Sequence, residues 1–226
     1  MSTLRNKIFD NTLIFHHGLA KLFGKRLIWY TAGKILREQT EDYEPRLATL
    51  EMNAREIKKY NIEGAAAELG VYQGEFAKHI NHFFPDRKLY LFDTFEGFDD
   101  RDSKIDRSKN FSDGSQDWTN TSVELVLNKM EHRENCIVKK GWFPETAEDI
   151  DEKFCFVSID ADLYQPILEG LKFFYPRLNH GGVIMVHDFD NLEYTGARQA
   201  VKEFCDDNNI GYVCLSDACG SAVITK

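Results

Sequence analysis

Two short runs in this 226-residue chain carry side chains that could do chemistry together. One is Ser158-Ile159-Asp160-Ala161-Asp162-Leu163-Tyr164, and the other is Val186-His187-Asp188-Phe189-Asp190. Each follows an apolar stretch that reads as a buried strand, over 154–159 and 182–186. In an open parallel sheet, ligands bind beyond the carboxyl ends of the strands, and neighbouring strands lie about 4.8 Å apart. Asp160, Asp162, His187 and Asp188 then share a small volume. Three carboxylates and an imidazole so placed repel unless something positive neutralises them. A divalent cation is the simplest answer. Oxygen-rich sites take Mg²⁺, Ca²⁺ or Mn²⁺, and the imidazole tilts the choice toward Mn²⁺ or a later metal. Such a cation lowers the pKa of a hydroxyl, and a nearby carboxylate can then take its proton as general base. The plainer reading is that these Asp residues cap helices. Four polar groups at two strand ends exceed what capping needs.

A second constellation precedes these. Glu68-Leu69-Gly70-Val71-Tyr72-Gln73-Gly74 follows the first strand candidate and opens a helix. Gly70 and Gly74 allow a tight turn and close backbone approach to a ligand. The Gly-x-Gly-x-x-Gly fingerprint of a dinucleotide cradle is absent, which disfavours a dehydrogenase. Glu68 would repel a phosphate but suits an ammonium. Asp93 ends the second strand candidate, where an acidic side chain is placed for ribose hydroxyls. An adenosine ligand that carries an amino acid is S-adenosylmethionine.

The elements that must position these residues follow from periodicity. Strand candidates lie at 65–69, 89–92, 136–139, 154–159, 182–186, 212–215 and 222–225. Helix candidates at 74–84, 121–133, 165–175 and 197–208 alternate with them. This is the pattern of a mostly parallel sheet with helices on both faces and a closing antiparallel hairpin. Residues 1–58 read as a helical extension and 59–226 as the main domain. The stretch 99–120 has six Asp, four Lys/Arg and four Ser, and reads as a long polar loop. Phe111 and Trp118 within it favour a lid over a disordered linker.

Composition limits the function. With 28 basic and 37 acidic residues the net charge is −9, a poor match to a nucleic-acid groove. Residues 1–40 carry seven Lys/Arg against Asp10 and Glu38. That segment is either a flap packed on the domain or a second subunit, or a basic surface for peripheral membrane contact. No apolar stretch approaches the roughly 20 residues of a membrane span. The five cysteines form no C-x-x-C pair, so a reduced, cytoplasmic setting is expected.

The chain resembles the macrocin O-methyltransferase (TylF/MycF/NovP-like) family from about residue 63 onward. The resemblance rests on Ala67-Glu68-Leu69-Gly70-Val71-Tyr72-Gln73-Gly74, Phe92-Asp93-Thr94-Phe95-Glu96-Gly97-Phe98, Gly141-Trp142-Phe143-Pro144-Glu145-Thr146, Asp160-Ala161-Asp162-Leu163-Tyr164 and Gly196-Ala197-Arg198-Gln199-Ala200-Val201. It implies a Rossmann-like class I methyltransferase fold with a seven-stranded sheet, from a bacterial source. It also implies O-methylation of a hydroxyl, of a sugar or glycosylated small molecule, with a divalent metal, usually Mg²⁺. By resemblance Asp160 is a metal ligand and Asp162 the base. His187 and Asp188 stand where the family has an Asp-Asp pair of ligands, so Mn²⁺ is a second candidate. Glu68, Gly70, Tyr72, Gly74, Asp93, Thr94, Phe95, Trp142 and Asp160 are the expected cofactor residues. Trp142 fits an adenine pocket or the core equally. Tyr164 fits either a substrate mouth or, more readily, a structural place, and Arg198 either orients a substrate or, more readily, forms a structural ion pair. A homodimer is expected. Two other readings stay open: a metal-independent methyltransferase of the same fold, and a non-catalytic S-adenosylmethionine-binding protein.

Overall fold

The computed structural model describes residues 45–226. The basic segment 1–40, and with it the flap, membrane and subunit readings, lies outside the described residues. The first described helix, α1 (Pro45–Lys59), has Pro at its first position and Lys58 and Lys59 in its last turn, as helix ends favour. It buries Arg46, Leu50, Ala54 and Ile57, one stripe at helical spacing. Leu50, Ala54 and Ile57 share a core with sheet residues Ala66, Leu91 and Phe156. The compact unit thus begins at Pro45, and residues 45–58 pack with the sheet domain.

Seven strands form one sheet among the described residues: β1 (Ala65–Leu69), β2 (Leu89–Asp93), β3 (Cys136–Lys140), β4 (Phe154–Ile159), β5 (Leu178–Val186), β6 (Val213–Leu215) and β7 (Ser221–Thr225). Their order is β3-β2-β1-β4-β5-β7-β6. β1 to β5 run parallel, while β7 is antiparallel to both β5 and β6. The expected fold is the one observed. The remaining helices are α2 (Ala77–Phe83), α3 (Asp100–Lys109), α4 (Val123–Leu127), α5 (Tyr164–Arg177) and α6 (Gly196–Asn208). None of the described helices is long and apolar enough to cross a membrane.

The central strands are buried on both faces, so alternate residues feed two cores. Ala67, Leu69, Phe92, Val157 and Ile159 face α5 and α6. Ala66, Leu91, Phe156 and Met185 face α1, α2 and α4. Phe174 on α5 anchors the first core, with its ring centroid 5.7 Å from Phe92 and 5.1 Å from Phe154. Its truncation to Ala would cost about 3–5 kcal/mol.

Two expectations need correcting. The stretch 99–120 is not loop throughout, because its first half is helix α3. Asp99 caps it by accepting from Arg101 N, and Asn110 closes it in the left-handed conformation. The helix expected over 121–133 is only one turn and a half, from the Ser122 cap to Leu127. The Asn81 side chain takes over both polar backbone groups of His132, at 2.7 and 3.1 Å, and so replaces helical pairing there.

Candidate functional site

The strand order reverses between β1 and β4, which opens a crevice at their carboxyl ends. The chain turns sharply there. Tyr72, Phe95, Asp162 and Asp188 have φ of 47°, 54°, 55° and 58° and lie after β1, β2, β4 and β5. Each non-glycine residue in this region costs on the order of 1 kcal/mol, so the strain gathers at one end of the sheet.

On the β1/β2 side, one carboxylate organises the loops. Asp93 Oδ2 accepts from Val71 N and Tyr72 N, both at 2.8 Å, and Oδ1 accepts from Phe95 N at 2.6 Å. Three of its roughly four lone-pair positions are thereby filled by backbone. Its first task is to hold the glycine turn. Gly70 is required by the protein's own chain, because a Cβ there would lie 2.0 Å from Asp160 O. Gly74 likewise sits against Val126. Thr94 Oγ1 donates to Gly97 O at 2.5 Å and shapes the turn after β2. The Phe95 side chain is core, packed on the α2 and α4 face, so only its backbone serves the crevice. The Tyr72 ring meets Trp118 edge-on at 4.7 Å, and its hydroxyl donates to Asn120 at 2.6 Å. Trp142 donates from Nε1 to Asp102 at 2.9 Å and lies under the Arg101 guanidinium at 3.8 Å.

Glu68 is 1% exposed. Its Oε2 has no hydrogen-bond partner among the described residues. Burial, partly offset by Arg46, pushes its carboxyl up to about 8. An orphaned buried acceptor beside a glycine turn fits a ligand ammonium.

On the β4/β5 side, side-chain charges face one another. Asp160 Oδ1 lies 3.0 Å from His187 Nδ1, and Asp188 Oδ2 lies 3.2 Å from the same nitrogen. His187 Nε2 donates to Ala218 O at 3.0 Å, which turns Nδ1 toward the carboxylates. Ligating histidines are oriented in this way. One atom each from Asp160, His187 and Asp188 lie within 4.8 Å of one another, a donor set that fits a divalent cation. The residue that sequence reasoning missed is Arg46 on α1. Its Nη1 donates to Asp160 Oδ2 at 2.8 Å and its Nη2 to Ser158 Oγ at 2.9 Å.

The titration behaviour follows from this packing. Burial would raise the Asp160 carboxyl, but Arg46 and His187 outweigh it and hold it below the ordinary range. Burial would lower the His187 imidazole, but Asp160 and Asp188 outweigh it and push it up to about 10. Asp162 is raised well above its usual range by burial and by the neighbouring Asp188. Asp160 therefore lies between two positive partners, Arg46 and His187.

Two other residues lie where their roles are structural. Tyr164 takes the structural place. It is 5% exposed, packs on Phe111 and donates to Glu203 at 2.8 Å. Arg198 pairs with Asp190 and lies over the Phe189 ring, as expected.

Comparison with known proteins agrees with this geometry. Over 197 residues the chain is 25% identical to mycinamicin III 3''-O-methyltransferase of Micromonospora griseorubida, covering 77% of this chain and 76% of that one. The fold is similar to that of the O-methyltransferase NovP, with a TM-score of 0.64 and 20% identity over 80% of this chain and 79% of that one. It is also similar to calicheamicin methyltransferase CalS11, with a TM-score of 0.63 and 20% identity over 80% and 78% of the two chains. Residues 42–216 match the macrocin-O-methyltransferase (TylF) family. A match over most of the chain, joined to this fold, makes the protein a member of that family of S-adenosylmethionine-dependent O-methyltransferases.

Proposed function

We propose that the protein moves the methyl group of S-adenosylmethionine to a hydroxyl of a sugar or glycosylated small molecule, using a divalent cation. The observation that carries this is the meeting of Asp160, His187 and Asp188 at two adjacent strand ends, with Asp162 against Asp188, beside the Glu68 and Gly70 turn. The names of two relatives support the acceptor class: mycinamicin III 3''-O-methyltransferase, and CalS11, a TDP-rhamnose 3'-O-methyltransferase.

Each residue has a task. Glu68 receives the ammonium of the cofactor, and Asp93 and Thr94 hold the turns that bracket it. Gly70, Tyr72 and Gly74 form the first of those turns, and Trp142 borders the other side. Asp160, His187 and Asp188 hold the cation, Mg²⁺ or Mn²⁺. When bound, the cation supplies positive charge that orients and acidifies the acceptor hydroxyl. Asp162 takes the hydroxyl proton on its carboxylate, and the oxygen displaces the sulfonium in line, mainly through positioning. The proposal includes a homodimer in a bacterial cytoplasm.

The test is calorimetry with S-adenosylhomocysteine in Mg²⁺, Mn²⁺ and EDTA, followed by a sugar-acceptor screen. Cofactor binding in all three, with a separate metal signal and metal-dependent turnover, is the expected result. Turnover that survives EDTA would favour the metal-independent reading. One observation supports that reading: Arg46 and His187 already bring positive charge to Asp160.

A further inference from the structure

We infer that Arg46 sets both the strength and the selectivity of cation binding at Asp160, His187 and Asp188. This rests on the reading of those three residues as cation ligands. Arg46 comes from α1, distant in sequence, yet it is 5% exposed and held from three sides. Nη1 grips Asp160 Oδ2 at 2.8 Å, Nη2 grips Ser158 Oγ at 2.9 Å, and the guanidinium lies 3.9 Å from the Phe76 ring centroid. A planar fork fixed in this way stays where it is.

Two consequences follow. First, a divalent cation at this site must sit beside a fixed positive charge in a partly buried place, where such charges act strongly. Arg46 therefore weakens cation binding. Second, Asp160 is divided. Its Oδ2 is taken by Arg46, and only Oδ1, 3.0 Å from His187 Nδ1, faces the other ligands. Asp160 offers a cation one unencumbered oxygen rather than two. Ca²⁺ takes six to eight oxygens and often a bidentate carboxylate, whereas Mg²⁺ and other small octahedral ions accept monodentate ligands. Arg46 therefore tilts the site away from Ca²⁺. It touches neither substrate nor reacting atoms in this account, so it is a positioning residue.

The experiment is titration of Mn²⁺ and Ca²⁺ into the full chain and into Arg46→Gln, Arg46→Met and Arg46→Lys, with thermal melts as a folding check. Gln removes the charge but keeps donors, Met keeps the stem over Phe76, and Lys keeps the charge. Mn²⁺ affinity should rise about tenfold in the Gln and Met variants and stay within about threefold in Lys, from the charge argument. Ca²⁺ affinity should rise more than Mn²⁺ affinity in Gln and Met. A merely structural Arg46 would give weaker cation binding together with a lower melting temperature, and that result overturns the inference. Unchanged affinities in folded Gln and Met variants overturn it too, while leaving the cation site itself intact. Absence of cation binding in all four proteins overturns the cation reading and this inference with it. The unaltered chain gives a second measurement that needs no variant. It should bind Mn²⁺ at least about tenfold more tightly than Ca²⁺, and equal affinities would count against Arg46 as the selector.

Discussion

At the ends of β1 and β2 the chain is held by backbone amides gathered on one carboxylate, Asp93. At the ends of β4 and β5 it is held by side-chain charges set against one another, Arg46 and His187 facing Asp160 and Asp188. The first arrangement is local and is built before any ligand arrives. The second draws on α1, β4, β5 and the β6–β7 turn, and its balance can be tipped by one added or removed charge. Cofactor binding should therefore be robust to ions, and methyl transfer should not.

The sharpest way to break that contrast is to remove the acid-base group alone. Asp162→Asn should lower kcat by about 10²–10⁴-fold, the usual weight of a general base. Its affinity for S-adenosylhomocysteine should stay within about threefold, since only proton transfer is removed. Asp160→Ala should abolish turnover, again with cofactor binding largely intact. Equal loss of cofactor affinity in either variant would merge the two halves. On the other side, Asp93→Ala leaves three backbone donors without their acceptor, at about 1–3 kcal/mol for each one that stays buried. Calorimetry should show cofactor affinity falling at least about tenfold, whatever the metal concentration, as these penalties imply.

A smaller effect tests the border of the cofactor side. Burial of Asp102, partly offset by the hydrogen bond from Trp142, pushes its carboxyl up to about 6 from 3.8. The folded chain binds that proton more tightly than the unfolded chain. The resulting stability is present below pH 3.8 and is lost as pH rises through 6. Asp102→Asn should therefore match the parent at pH 4 and exceed it at pH 8 by about 1–2 kcal/mol, allowing for partial exposure. Denaturant melts at the two pH values decide this.

Much of the fold was readable from the strands. β1 and β4 fall at the expected bounds because both are short apolar runs between turn residues. The acidic cluster was readable for the same reason: it follows two such runs. Helix α3 was not, because its buried face is polar, made of Asp102, Ser103 and Asp106. An apolar stripe is the main periodic signal, and here there is none. The signals that do mark it are at its ends: a capping Asp99, acids first, Arg107 and Lys109 last, and Asn110 after them. Arg46 escaped notice because it lies in a stretch read as a helical extension separate from the main domain. Its partner could have been found from the strands. Glu68 and Ser158 stand opposite each other in register, on the face that also carries Ala66 and Phe156. A polar pair on an otherwise apolar buried face needs a partner from the helix above it.

Asp106 gives α3 a meaning beyond covering the crevice. It is fully buried, accepts from Tyr164 N at 3.0 Å and from Ser112 Oγ at 2.8 Å, and so caps α5 from outside that helix. α5 begins directly after the Asp160–Asp162 turn and has no cap of its own from Leu163. Lifting α3 away would strip the first amide of α5 of its acceptor and leave Asp106 with Ser112 alone. The two helices should thus open in one cooperative step, and their amides should share one hydrogen-exchange free energy. A segment that looks like a detachable cover is, in folding terms, the first turn of the helix behind the active site.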